Sequence, residues 1–217
     1  MALTTHKLPR RTGRKDELSR KMLFSMAKQV CRVFLDLNDI ELPTVHVSKV
    51  QLREQSMAWH DDGIITIHLP SCYGVKDWRT RGWPGYRVDE TPYGVFCHEI
   101  GHYIDYVFDY KPSASKKWHL LAMRSDVRMN RHDDPKDGPG EVFAESMMLF
   151  ITNPGLLLAA MPERYRYFTK ELKLRPILDH DYIENLRHLR APKPIIRQAV
   201  RFAKKKVYLP KGMKEAW

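Results

Sequence analysis

The stretch His98-Glu99-Ile100-Gly101-His102, read with Glu141-Val142-Phe143-Ala144-Glu145 downstream of it, decides how this chain is understood. In an α-helix, side chains four residues apart share a face, so His98 and His102 can turn two imidazoles toward one metal ion while Glu99 stands beside them. For a chain with 10 His in 217 residues, chance supplies about 0.02 matches to H-E-x-x-H. Gly101 is out of place on propensity alone, since glycine in a helix interior costs roughly 1 kcal/mol relative to alanine. A helix accepts that cost where something must approach closely.

Around the motif, a helix is expected from Thr91 or Pro92 to about Tyr110, with Phe96, Ile100, Tyr103, Ile104 and Val107 as its buried stripe. Upstream, Leu18, Met22, Met26, Val30, Val33, Phe34 and Leu37 recur at steps of three and four, which predicts an amphipathic helix over 16–37 that stops at Asn38-Asp39. Val45, Val47 and Val50 alternate with polar residues as in a half-buried strand over 44–50. Residues 56–60 and 64–69 flank Asp61-Asp62-Gly63 as the arms of a hairpin. Residues 70–91 are aromatic, rich in Gly and Pro and without period, and so are expected to form a long loop bordering the site.

Downstream, helices are expected over 113–128, 141–151 and 155–172, with a turn-rich loop at 130–140. A basic amphipathic helix is expected over 195–207. There is no internal repeat or low-complexity tract.

The length fits one domain able to bury a sizeable core, and 43% hydrophobic with 29% charged residues is a globular composition rather than a disordered or membrane one. No apolar run approaches the roughly 20 residues of a membrane span. The opening MALTTHKLPRRTGRKDELSRK has no apolar stretch behind its basic residues, so no secretory signal is expected and a cytoplasmic location is. Cys31, Cys72 and Cys97 cannot all pair and match no metal or redox spacing, so reduced thiols are expected. Cys97 adjoins His98 but points about 100° away on a helix, which assigns it to the core.

The net charge of +11 is concentrated at the ends: +5 over residues 1–21 and +9 over 187–217, which leaves −3 for residues 22–186. Basic ends attract polyanions, so nucleic acid or an acidic protein surface is an expected partner, with a merely solubilising role as the alternative.

A catalytic zinc ion takes three protein ligands and leaves a fourth position for water. His98 and His102 supply two. Glu141, which opens a predicted helix after a loop, is the candidate third. Its alternative role is a first-turn carboxylate favoured by the helix dipole. Glu145 lies one turn further on the same face, where it can accept the second N–H of a ligating imidazole. Glu99 is the expected general base. Arg131 and His132, in the loop before Glu141, are the candidates for stabilising an oxyanion. Tyr103 and Tyr106 read as core residues, and His46, His60, His68, His119, His180 and His188 lack any ligand spacing.

HEIGHYID (98–105) followed by GEVFAESMMLFITNPGLL (140–157) resembles the Glu-zincin metallopeptidases, and within them the lethal-factor-type catalytic domain of toxins and phage-encoded relatives. The resemblance covers about residues 90–160. It implies an α+β, zincin-like fold: a small mixed sheet with an antiparallel edge strand, packed on the motif helix, and a second helix that brings the ligand Glu141. It also implies a Zn2+ cofactor and a protein or peptide substrate. The toxin enzyme has an assisting tyrosine shortly before the third ligand, where this chain has Asp134. The repressor-cleaving zinc peptidases of mobile elements share HEIGH, but their later glutamate segment reads differently.

The expected organisation is a basic arm over 1–14, a zincin-like metallopeptidase domain over 15–175 and a basic extension over 176–217. The expected function is zinc-dependent endopeptidase activity with Glu99 as general base. The alternative is a basic structural or packing protein, virion-associated, with a structural zinc site and termini that grip nucleic acid or neighbouring subunits.

Overall fold

Helix α1 (Arg14–Leu37) forms where the three-and-four spacing predicts it and buries Leu23, Met26, Ala27, Val30, Phe34 and Leu35. It stops at Asp39, whose φ of 56° is left-handed, and the Asn38 amide donates to the freed Phe34 carbonyl at 2.8 Å. The structure is a computed structural model that describes residues 14–50, 57–73, 90–124, 138–154, 157–158 and 161–177. The expected arm over 1–14, apart from Arg14, the C-terminal extension beyond residue 177, and most of the 70–91 and 130–140 loops lie outside the described residues.

Three strands follow α1: β1 (Thr44–Ser48), β2 (Ala58–Asp61) and β3 (Ile64–His68). They form a mixed sheet in the order β1-β3-β2, with β1 parallel and β2 antiparallel to β3. The hairpin turn is Asp62-Gly63, both with positive φ (44° and 78°), which is what a two-residue turn matching the strand twist requires. On β3, Ile65 and Ile67 are fully buried while Ile64 is exposed, so one face of the sheet meets the helices. His60 lies opposite Ile65 and shares that face.

The motif helix α2 (Pro92–Val107) starts with Pro92 at its first position and with the Thr91 hydroxyl accepting from the Tyr93 N–H at 3.2 Å. It ends three residues before the expected Tyr110, because Asp109 and Tyr110 both adopt left-handed φ of 56°. Val107, expected in the stripe, is 42% exposed.

The helix expected over 113–128 is instead two: α3 (Lys111–Ala114) and α4 (Lys116–Arg124). Ser115, extended at ψ 141°, separates them and caps α4 by accepting from the Trp118 N–H at 3.1 Å. Helix α5 (Pro139–Thr152) is buried at every position from Val142 to Thr152, as an apolar helix at the centre of a fold is. Of the helix expected over 155–172, residues 155–156 and 159–160 lie outside the described residues; Met161 (φ −141°) is not helical, and α6 (Pro162–Arg166) follows it and runs into a wider turn over Tyr167–Glu171.

The core lies where α1, α2 and α5 meet. Phe24 packs edge-on against Phe96, and Phe34 against Phe150. The fully buried Trp118 sits between Phe143, Tyr167 and Phe168. Cys31 and Cys97 are buried thiols with their sulfurs 3.4 Å apart, and Cys72 is buried elsewhere, in line with the expectation of reduced cysteines. No helix among the described residues is long and apolar enough to cross a membrane. The result is a mixed α+β architecture.

Gly101 is where α2 and α5 touch. A methyl group there would stand 2.7 Å from Ala144 Cα and 2.9 Å from Ala144 O, both backbone atoms that cannot swing aside. Gly101→Ala is therefore expected to destabilise the protein by about 1–3 kcal/mol, although the same change in an exposed helix is favourable. Denaturant unfolding of the two proteins measures this difference.

Candidate metal centre

Helix α2 presents His98 and His102 one turn apart, and the close contact at Gly101 brings the first turn of α5 alongside them. The imidazoles face each other with their Nε2 atoms 3.1 Å apart. Glu141 straddles the pair: Oε2 is 3.4 Å from His98 Nε2 and Oε1 is 3.3 Å from His102 Nε2. Among the described residues, these three form the one group of His, Cys, Asp or Glu side chains close enough to share a metal ion. Ligands at zinc's roughly 2.0–2.2 Å bond lengths and tetrahedral angles stand about 3.3–3.6 Å apart. The observed triangle has nearly those edges, so the residues fit a small divalent ion. Two imidazoles and a carboxylate are a donor set that zinc and several transition metals accept.

The electrostatics agree with that fit. Burial alone would depress the His98 imidazole, but Glu141 and Glu145 outweigh it and raise His98 well above its ordinary value. Burial likewise works to raise Glu141, yet pairing with His102 and His98 holds it well below the usual carboxylate range.

Glu145 lies behind His98. Its Oε1 is 3.1 Å from His98 Nδ1, an atom shielded from solvent and without an in-line acceptor of its own. That is the position from which a carboxylate fixes the tautomer and orientation of a ligating imidazole. Glu99 is 6% exposed, and burial raises its carboxyl above the usual value against the opposing pull of His98 and His102. It is a buried carboxyl group beside the three candidate ligands without being one of them.

The site is open on one side. The Glu141 side chain is 37% exposed and that of His102 24%, against 15% for His98. The hairpin adjoins the opening. His60 packs against the rings of Tyr103 and Tyr106, accepts from the Gly63 N–H at Nε2 (3.2 Å), and is held below its ordinary value by burial and then by repulsion from His102. Tyr106, expected in the core, is instead partly exposed and donates to Asp62 Oδ1 at 3.0 Å. Tyr103 is a core residue as expected.

The structure thus brings together His98, Glu99, His102, Glu141 and Glu145. Arg131, His132 and Asp134 lie outside the described residues. The motif's spacing gives no reason to single out Asp105, which the structure buries on α2 with its carboxylate accepting from the Ser113 N–H at 3.0 Å. Burial raises its carboxyl, and the bonds from Ser113 offset part of that. A signal was present in the sequence: an acid between Ile104 and Tyr106, one turn past His102, on a largely apolar helix.

Compared with models of protein families, with curated proteins and with solved structures, the chain matches none. Function is therefore read from the side chains themselves.

The purified protein is expected to bind one zinc ion per chain. His102→Ala and Glu141→Ala are each expected to abolish stoichiometric binding, and Glu145→Ala to weaken it by about 10–100-fold, the usual cost of losing an outer carboxylate. Elemental analysis and competition with a chelating dye measure both.

Proposed function

We propose that this chain is a zinc-dependent endopeptidase of the zincin-like type. The observation that carries the reading is Glu99: a buried carboxylate, one residue past the ligand His98, that belongs to neither the ligand triangle nor the apolar core. Burying a carboxyl group is costly, and a metal site that served only to staple the fold would gain nothing from it. The partly exposed Glu141 and His102 add to this, since structural zinc sites are closed by four protein ligands whereas catalytic ones keep a position open to water.

On this reading His98, His102 and Glu141 hold the ion, and Glu145 orients His98. A zinc ion bound there would supply acidification of a water molecule and polarisation of the substrate carbonyl. Glu99 accepts the proton from that water and returns it to the leaving amine, a double duty for which a raised proton affinity is suited. Strand β2, which pairs with β3 along one edge only among the described residues, offers its other edge to an extended peptide by main-chain hydrogen bonding. The half-buried His60 stands on the side of β2 that faces the motif helix.

The packing-protein alternative keeps the metal and dispenses with Glu99. The two readings therefore separate at that residue. Glu99→Gln is expected to bind zinc as the wild type does while cleavage of a peptide library falls by at least about 10³-fold, more than loss of simple acid–base assistance at its lower bound. Cleavage that survives the substitution, or a zinc-loaded wild type that cleaves nothing while its basic ends bind nucleic acid with steep salt dependence, would overturn the peptidase reading.

A further inference from the structure

Glu141 sits in the third position of α5, in a first turn with little to hold it. Gly138 precedes the helix at φ 106° and no side chain caps it. Gly140 lies within the turn, and a side chain built at either glycine would touch nothing within 4 Å. Helix ends of this kind fray, yet a ligand carboxylate must be held in place to within about half an ångström to be useful.

Besides the two imidazoles that meet Glu141 itself, a hydrogen bond from another helix reaches the backbone of this turn. The indole N–H of Trp118, on α4, donates to the Pro139 carbonyl at 2.9 Å, two residues before Glu141. Trp118 is itself fully buried and clamped by rings on three sides, with Phe143, Phe168 and Tyr167 at centroid distances of 5.1, 5.5 and 5.1 Å. Its backbone N–H is held by Ser115 Oγ at 3.1 Å, and the same hydroxyl meets Tyr167 at 3.1 Å and donates to the Pro112 carbonyl at 2.9 Å. The neighbouring Ser113 N–H is fixed to Asp105 on the motif helix. A continuous run of short contacts therefore leads from Asp105, three residues past His102, through α3 and α4 to Pro139, two residues before Glu141.

We infer that Trp118 is a positioning residue of the metal centre, whose indole N–H sets where the Glu141 carboxylate stands relative to His98 and His102. The inference rests on reading those three residues as ligands. The fold joins the two ligand helices twice: at Gly101 against Ala144, one turn inside α5, and through Trp118 at the outer turn. The first contact fixes the distance between the helices. The second fixes the rotation and extension of the first turn of α5, where the ligand sits.

A merely structural tryptophan would matter through its ring, a positioning one through its N–H. The test is zinc titration of the full chain with Trp118→Phe, and with 3-benzothienylalanine incorporated at position 118, which keeps the bicyclic shape and has sulfur in place of N–H. Thermal unfolding of the metal-free proteins is followed in parallel. Both substitutions are expected to weaken zinc binding by about tenfold or more, in the range of lost outer contacts at metal sites. The benzothienyl protein should leave the metal-free unfolding midpoint where it was. A benzothienyl protein that binds zinc as tightly as the wild type overturns the inference and leaves the ligand assignment standing. A wild type that binds no zinc overturns the ligand assignment, and the inference with it.

Discussion

The backbone of Ala144 lies where a side chain at position 101 would have to go, and most of what can be said about the site depends on that approach. Helices usually pack with their axes 8–10 Å apart because side chains keep them there. Glycine at 101 lets α5 come in against the backbone of α2. The first turn of α5 is thereby carried to the His98–His102 face, with Glu141 within 3.4 Å of both imidazoles and Glu145 at 3.1 Å from the back of one. A helix interior gives up roughly 1 kcal/mol of propensity at that glycine, and what it obtains is a third candidate ligand from a segment 39 residues away in sequence.

That approach concentrates charge as well as shape. Glu99, Glu145 and Asp105 are all buried, and Glu141 is half-buried against the imidazoles. Carboxylates in low-dielectric surroundings are unfavourable unless paired. The raised proton affinity of His98 and the depressed one of Glu141 are two expressions of the same field: an acid-rich site that attracts positive charge. A divalent cation held between the imidazoles and Glu141 would offset that field.

What the sequence made legible follows from which interactions are local. H-E-x-x-H and E-x-F-A-E announce their geometry because both lie on helices, where spacing alone decides facing. The hairpin was legible for the same reason, since Asp62-Gly63 carries its backbone conformation in its residue types. Gly101 could be read as a point of close approach, but not that Ala144 was the partner.

The expectations that failed depended on how segments end or break. The motif helix stopped short of Tyr110 because Asp109 and Tyr110 turned left-handed, and the helix expected over 113–128 broke at Ser115, whose hydroxyl caps the next helix. Serine is tolerated in a helix and favoured at its start, so propensity could not choose between them. Trp118 stayed invisible, and Asp105 was marked only as an acid on a largely apolar helix, because the contacts of both are long-range, each with a partner from another helix.

The same distinction bears on how the site should be weighed. Local motifs bring His98, Glu99 and His102 into line, and a chain could retain such a pattern with no further purpose. The contacts that complete the site are non-local: a glycine that admits a second backbone, and carboxylates buried on two helices at the cost of desolvation. Each lowers stability when taken alone, by lost propensity or by buried charge. A fold that only needed these helices packed would fill position 101 with alanine against a more distant α5 and place apolar residues at 99, 105 and 145. Lost propensity and buried charge gathered around one group of convergent imidazoles fit a place that could hold a metal ion better than they fit a site of packing alone.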